Sequence, residues 1–422
     1  MESLVALDVA SDVYSRIRVD ASADAVQVDP ASLAVNPLDR QVLCKALAVC
    51  SGVKGVSVCG APAERALRYA AAMGATSLCR INGCPSDAYE AAAHFADFLK
   101  AHPVPLVLCA QTGWDYATGD FPRWLSRLAG IGLVEDVCDF RLCETRPDTL
   151  EVVCQTDERR YALRVAAPVI LSCTKAIFPQ EQVRIPSMRD MMLALRARLD
   201  IWQPQAVYTP RKVFSRYRPM PSRPAVRFLP PDDYAAVADA IREAAEKGKN
   251  ERSAACGTTS VFSGRILADV RTHDEPEPLY AAGEILWQEN IPPHRDLKTA
   301  PVVFSGGMGL DDTAWHLLEQ AARECDAAVA CTRPVYQAGR RPYYEHVGQT
   351  GVKVAPQLYL AFGISGALQH IAGMIRSARV LAVNTDPDAE IFKYADYGIV
   401  GDACEVLRGL SDELKRRGGI DG

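Results

Sequence analysis

The sequence predicts an α/β protein with two sheets: a doubly wound, mostly parallel sheet in the N-terminal half and a second, Rossmann-like sheet in the C-terminal third. Three observations carry this reading. Strand and helix patterns alternate through the first 200 residues. Near the C-terminus, a buried strand pattern at Gln357–Gly363 runs straight into the turn Gly363-Ile-Ser-Gly366 and an apolar helical stretch. Between the halves, Lys247–Lys298 is the least readable part: the charged run Glu246-Lys-Gly-Lys-Asn-Glu-Arg252 at its start suggests an exposed linker, while Ile266 and Trp287 suggest some local packing.

Taken in order, Leu4–Val9 reads as a strand and Leu38–Val49 has helical spacing. Gly55–Gly60 is a strand, Pro62–Met73 a helix, Thr76–Ile81 a strand and Asp87–Lys100 a helix. Val104–Ala110 is a strand and Gly119–Leu128 a helix, while Leu150–Gln155 and Arg160–Cys173 suggest an antiparallel extension. In such sheets ligands sit beyond the carboxyl ends of the strands, which points to Asn36, Cys59-Gly60 and the turn Gln111–Gly119. Ala225–Phe228 is strand-like, and a helix starts near Pro231 with Tyr234, Val237 and Ile241 on its apolar face. The expected divisions are residues 1–205, an arm at 206–248, a linker at 249–300 and a last domain at 301–422.

Composition narrows the function. Of 422 residues, 49% are apolar, enough for sizeable cores, and the net charge of −5 makes nucleic acid and anionic membranes poor partners. No run reaches the roughly 18 apolar residues of a membrane span. The N-terminus opens directly into a strand without a basic leader, so a cytoplasmic protein is expected. Fourteen cysteines without a C-x-x-C pair read as buried reduced thiols, and no metal site is expected. His94, His102, His273, His294, His316 and His346 read as surface or structural residues.

The turn after Gly363 has the chemistry of a phosphate cradle. Glycines let backbone N–H groups approach a ligand, and the Ser365 hydroxyl adds a donor. A second strand, Arg379–Val383, ends at Asn384, whose amide can reach a ribose or an adenine. Around this turn stand Ser305-Gly-Gly-Met-Gly309, Thr332-Arg333, Val347-Gly-Gln-Thr-Gly351, Gln369-His370, Asn384-Thr-Asp-Pro387 and Ala395-Asp-Tyr-Gly-Ile-Val400 followed by Asp402. In this order the motifs resemble the FAD domain of the electron transfer flavoprotein alpha subunit, from about Pro301 to Leu414.

The resemblance implies a Rossmann-like (DHS-like) FAD-binding domain with roles at named positions. Thr350 corresponds to the hydroxyl beside the N5/O4 edge of the flavin ring, Arg333 to the guanidinium packed on the ring system, and His370 to the imidazole facing N1/O2. Gly348, Gln349 and Gly351 fall near the ring. Gly363, Ser365, Gly366 and Gln369 fall at the pyrophosphate, and Asn384 and Asp402 at the adenosine half. A cation about 4 Å from the charged ring stabilises it by about 1–4 kcal/mol, so Arg333 and His370 together would raise the one-electron potential by on the order of 100 mV. Two positions depart from the family: Met308 stands where arginine is usual, and Val352 where lysine is usual, with Lys353 one place later.

The N-terminal half is similar to the beta subunit of the same flavoprotein, which has an adenine-nucleotide-hydrolase-like fold. Asn36-Pro-Leu-Asp39, Cys59-Gly-Ala-Pro62 and Ala71-Ala-Met-Gly-Ala75 occur in family order. The resemblance implies a site for AMP or a second FAD at Ala6, Asn36, Cys59, Asp115 and Thr118. Here the departures are heavier: Asp8 replaces a usual lysine and Ala117 a usual glutamine. Pro186-Ser-Met-Arg-Asp-Met-Met-Leu-Ala194 resembles the recognition loop, with Met188 in the place of its partner-docking leucine. Val213–Glu246 resembles the C-terminal arm that packs on the FAD domain.

The chain thus reads as a fusion of the beta subunit with the alpha-subunit FAD domain, lacking the alpha subunit's own N-terminal domain. Surface left bare by that loss calls for self-association or an additional subunit. The expected function is an electron carrier without substrate turnover of its own. It would take electrons from a flavin dehydrogenase of acyl-CoA dehydrogenase type and pass them to a redox protein acceptor. The alternative is a bifurcating component that oxidises NADH and holds a second flavin in the N-terminal half.

Overall fold

A computed structural model describes residues 1–11, 17–19, 26–111, 120–156, 159–179, 182–219, 223–251, 259–262, 266–272, 277–290, 295–349 and 351–417. The chain divides into two compact units. The first comprises Met1–Arg218 with Thr258–Pro292, the second Pro219–Gly257 with Pro293–Gly422.

The first unit is built on a ten-stranded sheet: β1 (Glu2–Ala6), β2 (Gly52–Cys59), β3 (Ser77–Asn82), β4 (Leu106–Ala110), β5 (Gly132–Leu142), β6 (Thr149–Gln155), β7 (Arg159–Ala166), β8 (Val169–Cys173), β9 (Leu199–Trp202) and β10 (Gly283–Asn290). Their order is β9-β3-β2-β1-β4-β8-β5-β6-β7-β10. Pairing is parallel from β9 to β5 and antiparallel from β5 to β10. Strands buried on both faces read as continuous apolar runs, and β4 and β8 (Leu-Val-Leu-Cys-Ala and Val-Ile-Leu-Ser-Cys) are of this kind. Helices α1 (Pro37–Val49), α2 (Glu64–Met73), α3 (Ala88–Ala101) and α4 (Asp120–Ala129) connect the parallel strands. Asn36 caps α1 by accepting the Leu38 N–H at 3.2 Å, and Asp87 caps α3 by accepting the Glu90 N–H at 2.8 Å. A shorter helix, α5 (Met188–Leu195), starts with a reciprocal Ser187–Asp190 capping box.

Two sequence expectations are corrected here. The segment 249–300 is not a linker: β10 forms the edge of the large sheet along β7, and strands at Thr259–Phe262 and Ile266–Thr272 form a small sheet with Lys212–Pro219. The charged run that suggested an exposed linker continues a helix, α6 (Tyr234–Glu251), through Glu251. Lysine and glutamate are good helix formers, so charge alone did not mark its end.

The second unit has an all-parallel sheet. After a short strand at Arg227–Phe228 come β11 (Val302–Gly306), β12 (Ala328–Cys331), β13 (Leu358–Phe362), β14 (Arg379–Asn384) and β15 (Tyr397–Val400). The order is Arg227–Phe228, β15, β14, β13, β11, β12. Its helices are α6, α7 (Asp312–Glu324), α8 (Arg333–Gln337), α9 (Leu368–Met374) and α10 (Ala403–Arg416). Val237, Ala238, Ile241, Ala244 and Ala245 of α6 are buried in one core with Leu318 of α7, Leu407 and Leu410 of α10, and the sheet residues Phe304 and Leu360. The arm therefore supplies a face of this unit's core, burying apolar surface worth about 25 cal/mol per Å².

Candidate functional site

In the second unit, chain order reverses at β11, which lies between β12 and β13. At that switch point, beyond the strands' carboxyl ends, lies a cleft of about 550 Å³. Gly306-Gly307 leave β11, Thr332-Arg333 leave β12, Gly363 leaves β13 and Asn384 ends β14, so four parallel strands deliver their carboxyl ends to one place.

Eight residues selected from the sequence line this cleft: Arg333, Gln349, Gly363, Ser365, Gln369, His370, Asn384 and Asp402. Gly348 and Gly351 shape the turn behind it, where the Gly351 N–H donates to the Gly348 carbonyl at 3.0 Å. The Gln349 N–H donates to the Gln369 carbonyl at 2.6 Å and ties that turn to α9. Thr350 lies outside the described residues. Gly366 supports the turn from beneath with φ of +94°, and a Cβ there would lie 2.3 Å from the Ile391 nitrogen. At Gly307 a Cβ would come within 2.0 Å of the Gly363 carbonyl oxygen, so the first and third strand ends touch backbone to backbone.

Several side chains do structural work within the fold. Asn384 donates to the Ile364 carbonyl at 2.9 Å and accepts from the Asp386 N–H at 3.0 Å. Asp402 caps α10, accepting the Cys404 and Glu405 N–H groups at 2.9 and 3.0 Å. His370 is buried, with Nδ1 3.1 Å from the Val347 carbonyl and Nε2 3.1 Å from the Tyr359 hydroxyl. Burial pushes its pKa down to about 4, so the imidazole is neutral at neutral pH. Among the described lining residues Arg333 alone carries fixed positive charge.

Two further lining residues bear on this site. His346, read from sequence as surface or structural, is buried, lines the cleft and stacks on Tyr336 with ring centroids 5.8 Å apart. Its one sequence signal is adjacency to Val347-Gly-Gln-Thr-Gly351. Met308, the departure from arginine, also lines the cleft and is half-exposed. Val352 is turned to structure, donating its N–H to the His346 carbonyl at 2.8 Å.

An arginine, a serine hydroxyl, four side-chain amides (Gln337, Gln349, Gln369 and Asn384) and closely approaching glycine backbone form a donor set suited to an anionic dinucleotide with a polar ring. Residues 296–375 match the electron transfer flavoprotein FAD-binding domain. Similar curated proteins are electron transfer flavoprotein alpha subunits. The mitochondrial protein of rice (Oryza sativa subsp. indica) is 53% identical over 123 residues, 29% of this chain and 33% of that protein. The Bacillus subtilis protein is 45% identical over 122 residues, 29% of this chain and 38% of that one. The Mycobacterium leprae protein is 36% identical over 198 residues, 40% of this chain and 62% of that one. The chain thus carries an alpha-type FAD-binding domain, and it spans about a third of the length of the plant relatives it matches.

The first unit has a separate cleft of about 360 Å³ beyond β1, β2 and β4. Ala6, Asn36 and Cys59 line it, whereas Asp115 and Thr118 lie outside the described residues. Burial pushes the Cys59 thiol up to about 11, so it is an inert lining group. Asp39, fully enclosed, accepts the Asp8 N–H at 2.6 Å, and burial together with the Asp8 charge raises its pKa well above the carboxylate range. Among the described lining residues there is no lysine, arginine or histidine.

Met188 opens α5 and is 80% exposed, in a patch with Ile185, Met192, Leu193 and Leu195. Among the described residues no helix is long and apolar enough to cross a membrane, and no cluster of three or more His, Cys, Asp or Glu could hold a metal.

Proposed function

We propose that the chain is an electron carrier holding one FAD in the C-terminal cleft. FAD, when bound, supplies one- and two-electron redox chemistry that no side chain offers. In this reading Arg333 sets charge against the ring, Gln349 and the 348–351 turn orient it, and Ser365 with the Gly363–Gly366 backbone holds the pyrophosphate. His370 contributes a neutral, fully hydrogen-bonded wall. The observation that carries the reading is the cleft at the β11 switch point, lined mostly by residues of the segment 296–375 that matches the FAD-binding domain.

The N-terminal unit is, in the same proposal, a beta-subunit-like partner fused to the alpha-type domain. Its mostly parallel sheet and the exposed apolar patch on α5 support this. Met188 docks the electron donor, a flavin dehydrogenase, and a second redox protein accepts the electrons. The described cysteines are all free, which suits a reducing cytoplasm. A bifurcating component would need a second flavin in the N-terminal cleft and would be reduced by NADH. Anaerobic mixing with NADH, and separately with a reduced acyl-CoA dehydrogenase, tests the assignment. Flavin bleaching by the dehydrogenase and not by NADH is expected; rapid bleaching by NADH alone would refute the carrier.

A further inference from the structure

Tyr359, the second residue of β13, is completely enclosed in a core with Val347, Ile371 and Met374. A buried phenol calls for a hydrogen-bond partner. Here the partner is His370 of α9, with 3.1 Å between the Tyr359 hydroxyl and Nε2. The other ring nitrogen, Nδ1, lies 3.1 Å from the Val347 carbonyl. A carbonyl oxygen only accepts, so Nδ1 carries a proton. Burial pushes the pKa of the Tyr359 hydroxyl up, which keeps it protonated and able to donate. Both nitrogens thus have neutral partners: Nδ1–H donates to Val347, and the Nε2 lone pair accepts from Tyr359. The reverse tautomer would set the Nδ1 lone pair against the Val347 carbonyl, two buried acceptors with no proton between them.

Val347 and His370 line the C-terminal cleft, and Tyr359 reaches it through His370. Which nitrogen of an imidazole carries the proton is set by the hydrogen bonds made to the ring. We propose that Tyr359 is a positioning residue for the cofactor: it fixes His370 as the Nδ1–H tautomer, so that the imidazole offers the bound ring neither an N–H donor nor a free lone pair. This rests on the reading of the cleft as an FAD site. His370 then borders the flavin as a neutral surface, and negative charge on the reduced ring meets no histidine proton. Removing the Tyr359 hydroxyl frees Nε2 to take a proton and to present a donor to the flavin.

Heteronuclear correlation spectra of the full chain, carrying isotopically labelled histidine, read the tautomer directly, with the His370 signals assigned by their loss in His370→Gln. At neutral pH a protonated Nδ1 and an unprotonated Nε2 are expected. Tyr359→Phe, which keeps the aromatic ring, should place a proton on Nε2 in a measurable fraction of molecules. In FAD-loaded protein the same variant should raise the equilibrium constant for uptake of the first electron about tenfold, or about 59 mV. A protonated Nε2 in the unsubstituted chain overturns the proposal without recourse to any variant. Unchanged tautomers in folded Tyr359→Phe, or an unchanged potential where the tautomer has changed, would overturn it as well. A chain that retains no FAD would contradict the cofactor reading instead, and the spectra would still decide the tautomer.

Discussion

Gly366 shows how tightly the cofactor turn is specified. Its φ of +94° is strained for any L side chain, and a Cβ would lie 2.3 Å from backbone. Gly366→Ala should cost at least about 3 kcal/mol in urea denaturation and abolish flavin retention. Arg333→Ala removes a charge-assisted contact worth about 1.5–3 kcal/mol, so FAD affinity should fall about 10- to 100-fold with the fold intact, as fluorescence titration would show. His370 behaves differently because it is buried neutral, with a pKa of about 4 against 6.5 for the exposed ring. The unfolded chain therefore binds the extra proton first. The stability this residue contributes is complete above pH 6.5 and is lost as pH falls towards 4. His370→Gln should flatten the denaturation midpoint across that window; an unchanged slope would show that the ring is not neutral.

At the level of elements, α5 and α6 make opposite predictions. Apolar residues of α5 face outward, so Met188→Ser should leave thermal stability within about 0.5 kcal/mol while weakening dehydrogenase-dependent reduction several-fold. Ile241 of α6 is completely enclosed, and Ile241→Ala should cost about 2–5 kcal/mol without touching the docking surface. The alternating strands and helices were readable because short continuous apolar runs and period-3.6 patterns are local, as in Leu106–Ala110 and Tyr234–Ile241. The edge strand β10 was not. Its residues are mostly exposed on both faces, so Gly283–Asn290 has no apolar alternation, and only pairing with the distant β7 makes it a strand.

The same contrast governs the whole molecule. Motif residues such as Arg333, Gln349 and Asn384 converge because parallel strands bring their carboxyl ends to one switch point, and the motifs lie at those ends. The neutrality of His370 and the burial of His346 depend on the enclosing core, which spacing does not encode. Nor did spacing reveal that each unit is assembled from two separated segments. A fragment beginning at Pro293 would lack α6 and expose the core around Phe304 and Leu410, so it should precipitate or unfold, whereas the full chain should not. The most direct measurement is the flavin content of the full chain, purified after growth with ample riboflavin. One tightly bound FAD per chain, with a visible flavin spectrum, is the predicted result. A natively folded, colourless protein that takes up no added FAD would contradict the account.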